Sequence, residues 1–102
     1  MPRRDAKNTL SGRCIAVVGM RRALMVMTYV SLWSMYRATE GGDPARVEDL
    51  AEAIGRDRST VFRWQRDFRE VFPEWETPAD LLDYAAVKSV VNVRQAGALA
   101  VA

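Results

Sequence analysis

Apolar residues recur along this chain at intervals of three and four, the spacing of one face of an α-helix, in four successive stretches. The first is the most apolar: from Cys14 to Tyr36 it reads CIAVVGMRRALMVMTYVSLWSMY. A helix is predicted from Met20 to Arg37, ending before Gly41 and Gly42. Thr28, Ser31 and Ser34 share one side of it; Met25, Val26, Tyr29, Leu32, Trp33 and Tyr36 share the other. A helix this apolar around its circumference is usually buried on more than one side, and a second copy of a small chain is one way to cover it. The short run Cys14–Val18 before Gly19 fits a strand or a helix equally.

TEGGDP, from Thr39 to Pro44, is a loop by its turn residues. A second helix is predicted to open at Pro44 or Ala45 with Asp43 as its cap, and it carries Leu50, Ala51 and Ile54. Gly55 then allows a sharp turn, because glycine enters left-handed backbone space at little steric cost. Asp57 is placed to cap a third helix through the amides of Ser59 or Thr60. That helix, RSTVFRWQRDFREVF, runs to Phe72 and is stopped by Pro73. Val61, Trp64, Phe68 and Val71 or Phe72 make its inward stripe, with Trp64 read as core. Leu50, Ile54, Val61 and Trp64 would close an apolar wedge beneath the turn, leaving Arg58, Ser59, Phe62, Arg63 and Arg66 facing away.

PEWETPADLL supplies a loop and a fourth helix, capped by Thr77, with Pro78 in the first helical position and Asp80 near the N-terminus. Leu81, Leu82, Ala85, Ala86, Val90 and Val93 form its apolar stripe. No glycine-rich hairpin of alternating strands comes after the third helix, so no wing is expected. The pattern therefore predicts an all-α fold: a tri-helical helix-turn-helix core with a long apolar first helix and an additional C-terminal helix. Residues 1–13 read as a basic flexible arm and 14–102 as a single helical domain. Within it the helix-turn-helix occupies 46–72, and the helix over 78–94 serves packing or dimerisation.

LAEAIGRDRSTVFRW resembles the helix-turn-helix DNA-binding domains of bacteria and their phages. Ala51, Gly55 and Val61 fall where those domains carry a small residue, a turn glycine and a β-branched residue; Leu50, Ile54 and Trp64 fall on the usual apolar places. Arg56 departs from the aliphatic residue that normally succeeds the glycine. The resemblance covers about a fifth of the chain. It implies binding to double-stranded DNA, with the third helix in the major groove and its first residues at base edges. On that reading Arg58 and Arg63 are candidates for bidentate contact with guanine. Ser59 and Thr60 suit phosphate oxygens, and Arg66 and Arg69 hold phosphates further along. Phe62 meets a thymine methyl or a sugar, or else packs on a neighbouring loop.

Charge sharpens this picture. Net charge runs +6 over residues 1–37, −4 over 38–57, +3 over 58–69 and −3 over 70–102. Basic residues thus gather toward the N-terminal arm and in the third helix, two places suited to a DNA-binding domain. Arg3, Arg4 and Lys7 of the arm are placed for phosphates or a minor groove, or merely for solubility. Glu48, Asp49 and Glu52 read as a solvated face of the second helix rather than an acid–base pair.

Composition excludes other chemistry. At 49% hydrophobic over 102 residues the chain is one globular domain. It has no histidine and one cysteine, Cys14, which rules out a His/Cys metal site, a Cys–His or Ser–His nucleophile pair and an internal disulfide. The lone thiol suits a reducing cytoplasm. No phosphate loop with the required lysine spacing is present, so no enzyme activity and no cofactor are expected. Arg21 and Arg22 interrupt the apolar region, which argues against a membrane span, and no signal peptide is read at the start.

Three functions remain. The foremost is a sequence-specific transcriptional regulator binding double-stranded DNA as a homodimer through Met20–Tyr36 and the C-terminal helix. The second is an architectural or recruiting DNA-binding role, such as a phage terminase small subunit, an excisionase or a replication accessory factor. The third is a helical protein–protein interaction module.

Overall fold

The computed structural model describes residues 9–88. Helix α1 spans Leu10–Glu40. The Thr9 hydroxyl caps it, accepting from the Gly12 amide at 2.9 Å. The run Cys14–Val18 is therefore helical, and the helix begins before residue 13, where the arm was expected to end. Gly19, at φ 83° and ψ 166°, breaks the helical backbone. That conformation is open to glycine and strained for other residues, and it divides α1 into limbs of residues 10–18 and 20–40. Gly41, at φ 75°, closes α1 by placing its amide on the Arg37 carbonyl at 3.1 Å.

Three shorter helices complete the described chain: α2 over Val47–Ile54, α3 over Arg58–Val71, and α4 from residue 78 to the last described residue, 88. The fold is all-α, and no strand lies beyond α3 among the described residues. The second helix starts later than Pro44 or Ala45. Arg46 holds the cap position, and its amide donates to Asp49 Oδ2 at 3.0 Å. Asp43 is not a cap either. Its carboxylate accepts from Trp33 Nε1 at 2.9 Å and Arg37 Nε at 2.7 Å, a charge-assisted contact stronger than a cap to neutral amides.

An aromatic seam joining α1, α3 and α4 forms the core. Tyr29 meets Trp33 and Phe68 edge-on, at 5.9 and 6.0 Å between ring centroids. Phe68, Phe72, Trp75 and Tyr84 continue the line into α4, at 5.2, 5.4 and 5.8 Å. Val26 and Cys14 from α1, Leu50 and Ala51 from α2, and Val61 and Val71 from α3 fill in around it, all at most 2% exposed. In α4, Thr77 caps the Ala79 amide at 3.2 Å, and Leu81 reaches the core. The expected stripe then fails: Leu82 is half-buried, but Ala85 and Ala86 are exposed. The reason lies in where α4 is held. Arg37, close to the end of α1, binds Asp83 at 2.8 Å and the Ala79 carbonyl at 3.4 Å, and the next turns lie beyond that grip. Val90 and Val93 fall outside the described residues.

Arginines on α1 tie the other elements to it. Arg13 makes a two-pronged ion pair with Glu74 at 2.6 and 2.9 Å and donates to the Val71 carbonyl at 3.1 Å. Its guanidinium also lies 4.7 Å from the centre of the Phe72 ring. By length and composition α1 would pass for a membrane span. In this fold its arginines at 13, 22 and 37 are engaged by acids of the other segments.

This packing can be tested at two points. The Tyr29 hydroxyl is buried without a hydrogen-bond partner among the described residues, and burial pushes its ionisation well above the ordinary phenol range. An unsatisfied buried group is costly, so Tyr29→Phe is expected to stabilise the fold by about 1 kcal/mol. The check is the urea midpoint; a variant less stable than the parent would contradict it. The second point concerns acid. Arg37 holds the Asp43 carboxyl below its usual range, helped by Trp33, and Arg13 does the same for Glu74. With folded values below unfolded ones, the unfolded chain takes up protons first as pH falls. This stabilisation is full above the ordinary carboxylate value of about 4 and is lost as pH falls through it and below. Urea midpoints should drop from pH 6 to pH 3, and Asp43→Asn should flatten that dependence.

Candidate nucleic-acid interface

The orientation of α3 is set by its buried stripe of Val61, Trp64, Phe68 and Val71. Leu50 and Ala51 of α2 meet it, with Ile54 half-buried beside them, so the apolar wedge forms as its spacing predicts. Gly55 turns the chain at φ 68°. The Arg56 amide then closes onto the Ala51 carbonyl at 3.0 Å. Arg56 itself is exposed, so the turn packs without the aliphatic residue that the resemblance led one to expect there.

With that stripe inward, Arg58, Ser59, Phe62, Arg63 and Arg66 line one open groove along the outer face of α3. Arg69 is exposed one turn further on. Thr60 is half-buried and does not line the groove. Asp57 stands at the cap position, but its carboxylate accepts from the Ser59 hydroxyl at 3.0 Å instead of the amides. The amides of Thr60 and Val61 sit on the Asp57 carbonyl, at 3.0 and 3.3 Å. The short side-chain contact to a freely rotating hydroxyl wins because the backbone carbonyl already serves the helix start. Ser59 is thus already engaged within the chain. Arg3, Arg4 and Lys7 lie outside the described residues.

The distribution of ion pairs separates two sets of arginines. Among the described residues, Arg13, Arg22, Arg37 and Arg46 each hold an acid. Arg56, Arg58, Arg63, Arg66 and Arg69, all on the turn or on α3, hold none. Of the four arginines of α1, Arg13, Arg22 and Arg37 are thus neutralised by acids of the chain, and Arg21 is exposed with no acid among the described residues. The charge of the turn and of α3 stays free.

Arg22 explains how this comes about. Its guanidinium binds Asp67 at 2.7 Å and Glu70 at 2.6 Å, the two acids of α3. Asp67 is nearly buried, its side chain 5% exposed. Sequence reasoning read Arg22 as an interruption of an apolar run and missed this role. The signal was present in an acid pair three residues apart, one member of which falls on the inward side of α3. What remains outward is a row of guanidinium forks around one aromatic, Phe62, which is 41% exposed. Guanidinium groups pair in two-pronged fashion with phosphate oxygens and with the O6 and N7 edge of guanine. A row of them along one helix suits a polyanion.

Arg22→Ala should lower the melting temperature, because it strands a buried carboxylate. Combining it with Asp67→Asn should restore part of the loss. If the two losses simply add, Asp67 does not depend on Arg22.

Comparison with protein-family models, with curated proteins and with solved structures gives no match for this chain.

Proposed function

We propose that this protein binds double-stranded DNA through the outer face of α3, as a small transcriptional regulator of the bacterial or phage helix-turn-helix kind. One observation carries the reading: α3 presents Arg58, Arg63, Arg66 and Arg69 to solvent without acidic partners among the described residues, while both of its own acids are tied to Arg22. A helix with these properties, leading out of a three-residue turn, can enter a major groove. Arg58 and Arg63, nearest its start, are assigned to base edges, and Arg66 and Arg69 to phosphates. Phe62 lies among them, placed for a thymine methyl or a sugar. The exposed residues of α2 include Glu52, and this acidic helix crosses outside the contact.

A homodimer belongs to the proposal, since one helix-turn-helix makes few base contacts. The exposed apolar residues Met20, Leu24 and Met35 of α1 and Tyr84 and Val87 of α4 support it. An architectural or recruiting role on DNA uses the same face. A protein-docking module is the reading that free arginines favour least.

The test is fluorescence anisotropy with mixed-sequence duplex DNA across a salt series. Binding should weaken linearly in log–log form, with a slope of about −0.9 for each phosphate neutralised. Arg66→Ala should make the slope shallower by about 1. Arg63→Ala should cost about 1–3 kcal/mol on a selected site and relax its preference. Loss of all binding at low salt, or arginine variants that bind like the parent, would remove the DNA reading.

A further inference from the structure

From Val47 to Val71, Phe62 is the one large apolar side chain left exposed, at 41%. It lines the groove of α3 together with Arg58, Ser59, Arg63 and Arg66. At about 100° per residue, Phe62 stands midway around the helix between Arg58 and Arg66, about 40° from each. Along the sequence it lies between Arg58 and Arg63, the two arginines assigned to base edges. Among the described residues no ring packs on it and no cation lies over its face. The phenyl ring is thus held out among guanidinium groups that do not cover it.

We propose that Phe62 reads the 5-methyl group of a pyrimidine, so that binding responds to methylation of cytosine at C5 as well as to thymine. This rests on the duplex-binding reading and names the class of base that α3 selects. Of the groups that distinguish base pairs in the major groove, only the thymine C5-methyl is apolar; the others are hydrogen-bond donors and acceptors. A phenyl ring set against those would strip water from them and return no hydrogen bond. Against a methyl group, both partners leave water with a gain. 5-Methylcytosine carries the same methyl at the same ring position, so in place of thymine it offers Phe62 the same surface.

The neighbours of Phe62 set the context of that base. Phe62 is four residues from Arg58, about 6 Å along the helix axis, and base pairs are about 3.4 Å apart. Side chains reaching straight into the groove place the methylated pyrimidine about two base pairs from a guanine held by Arg58. A sugar is the other apolar surface a duplex offers. Sugars line the walls of the groove, whereas Phe62 lies within about 40° of the line opposite the buried stripe of Val61, Trp64, Phe68 and Val71. That line points at the groove floor.

The experiment starts from a duplex that the protein selects out of a random-sequence pool, with affinity read by fluorescence anisotropy. Uracil replaces each thymine of that duplex in turn; cytosine and 5-methylcytosine, each paired with guanine, then replace the responsive thymine. For the parent chain, uracil at one position or more should weaken binding about three- to fivefold. 5-Methylcytosine there should bind tighter than cytosine by about the same factor. Phe62→Ala should bind the thymine and uracil duplexes alike, with the salt slope of the parent, because no phosphate is involved. Phe62→Leu, still apolar, should keep part of the difference. If no position responds to the methyl group, or if Phe62→Ala discriminates as the parent does, the inference is overturned while duplex binding stands. A loss of affinity in Phe62→Ala with no response to uracil assigns the ring to a sugar and overturns it equally. If the pool yields no bound duplex even at low salt, the duplex reading falls and the inference with it.

Discussion

The fold turns on one guanidinium group serving two carboxylates. Asp67 sits on the inward side of α3, where an unpaired charge would oppose the packing of α3 on α1. Arg22 reaches it from α1 and takes up Glu70 with the same group. Two contacts three residues apart on one helix fix both its position and its rotation about its own axis. The direction in which Arg58, Arg63 and Arg66 project is thus decided on the opposite helix. Surface ion pairs contribute little by themselves. This one differs because one of its carboxylates is nearly buried and because the aromatic seam beside it leaves α3 few other ways to lie.

Much of this was legible in the sequence. The turn of Gly55 with Leu50, Ala51, Val61 and Trp64 around it comes from spacing alone, because two short helices joined by three residues can bury only the faces that spacing selects. The outward set of α3 was legible for the same reason. Thr60 was not: it lies at the edge of the buried stripe, where a shift of one residue position decides between core and groove.

Other features were hidden because they depend on partners distant in sequence. Asp43 looks like a helix cap when only its own segment is considered. Trp33 and Arg37 reach it only once α1 lies alongside, and two stronger donors displace the local amides. Arg13 and Arg22 look like additions to a basic surface until the acids at 74, 67 and 70 are brought against them. Net charge along a chain records how many charges there are, not which remain unpaired after folding. The free cations on the turn and α3 emerge only by subtraction.

Gly19 carries a consequence of another order. A continuous helix over the 31 residues of α1 would be a rod of about 46 Å. Gly12 and the β-branched residues of this stretch keep helical backbone, and Gly19 alone, with its positive φ, departs from it. In the rod, the first limb would point away from the end of α3, and Arg13 would leave Glu74 and the face of Phe72. The buried thiol of Cys14 would come into water with it. The closed shape of the molecule is therefore written in the sign of a single backbone angle, at a residue that has no side chain with which to hold it.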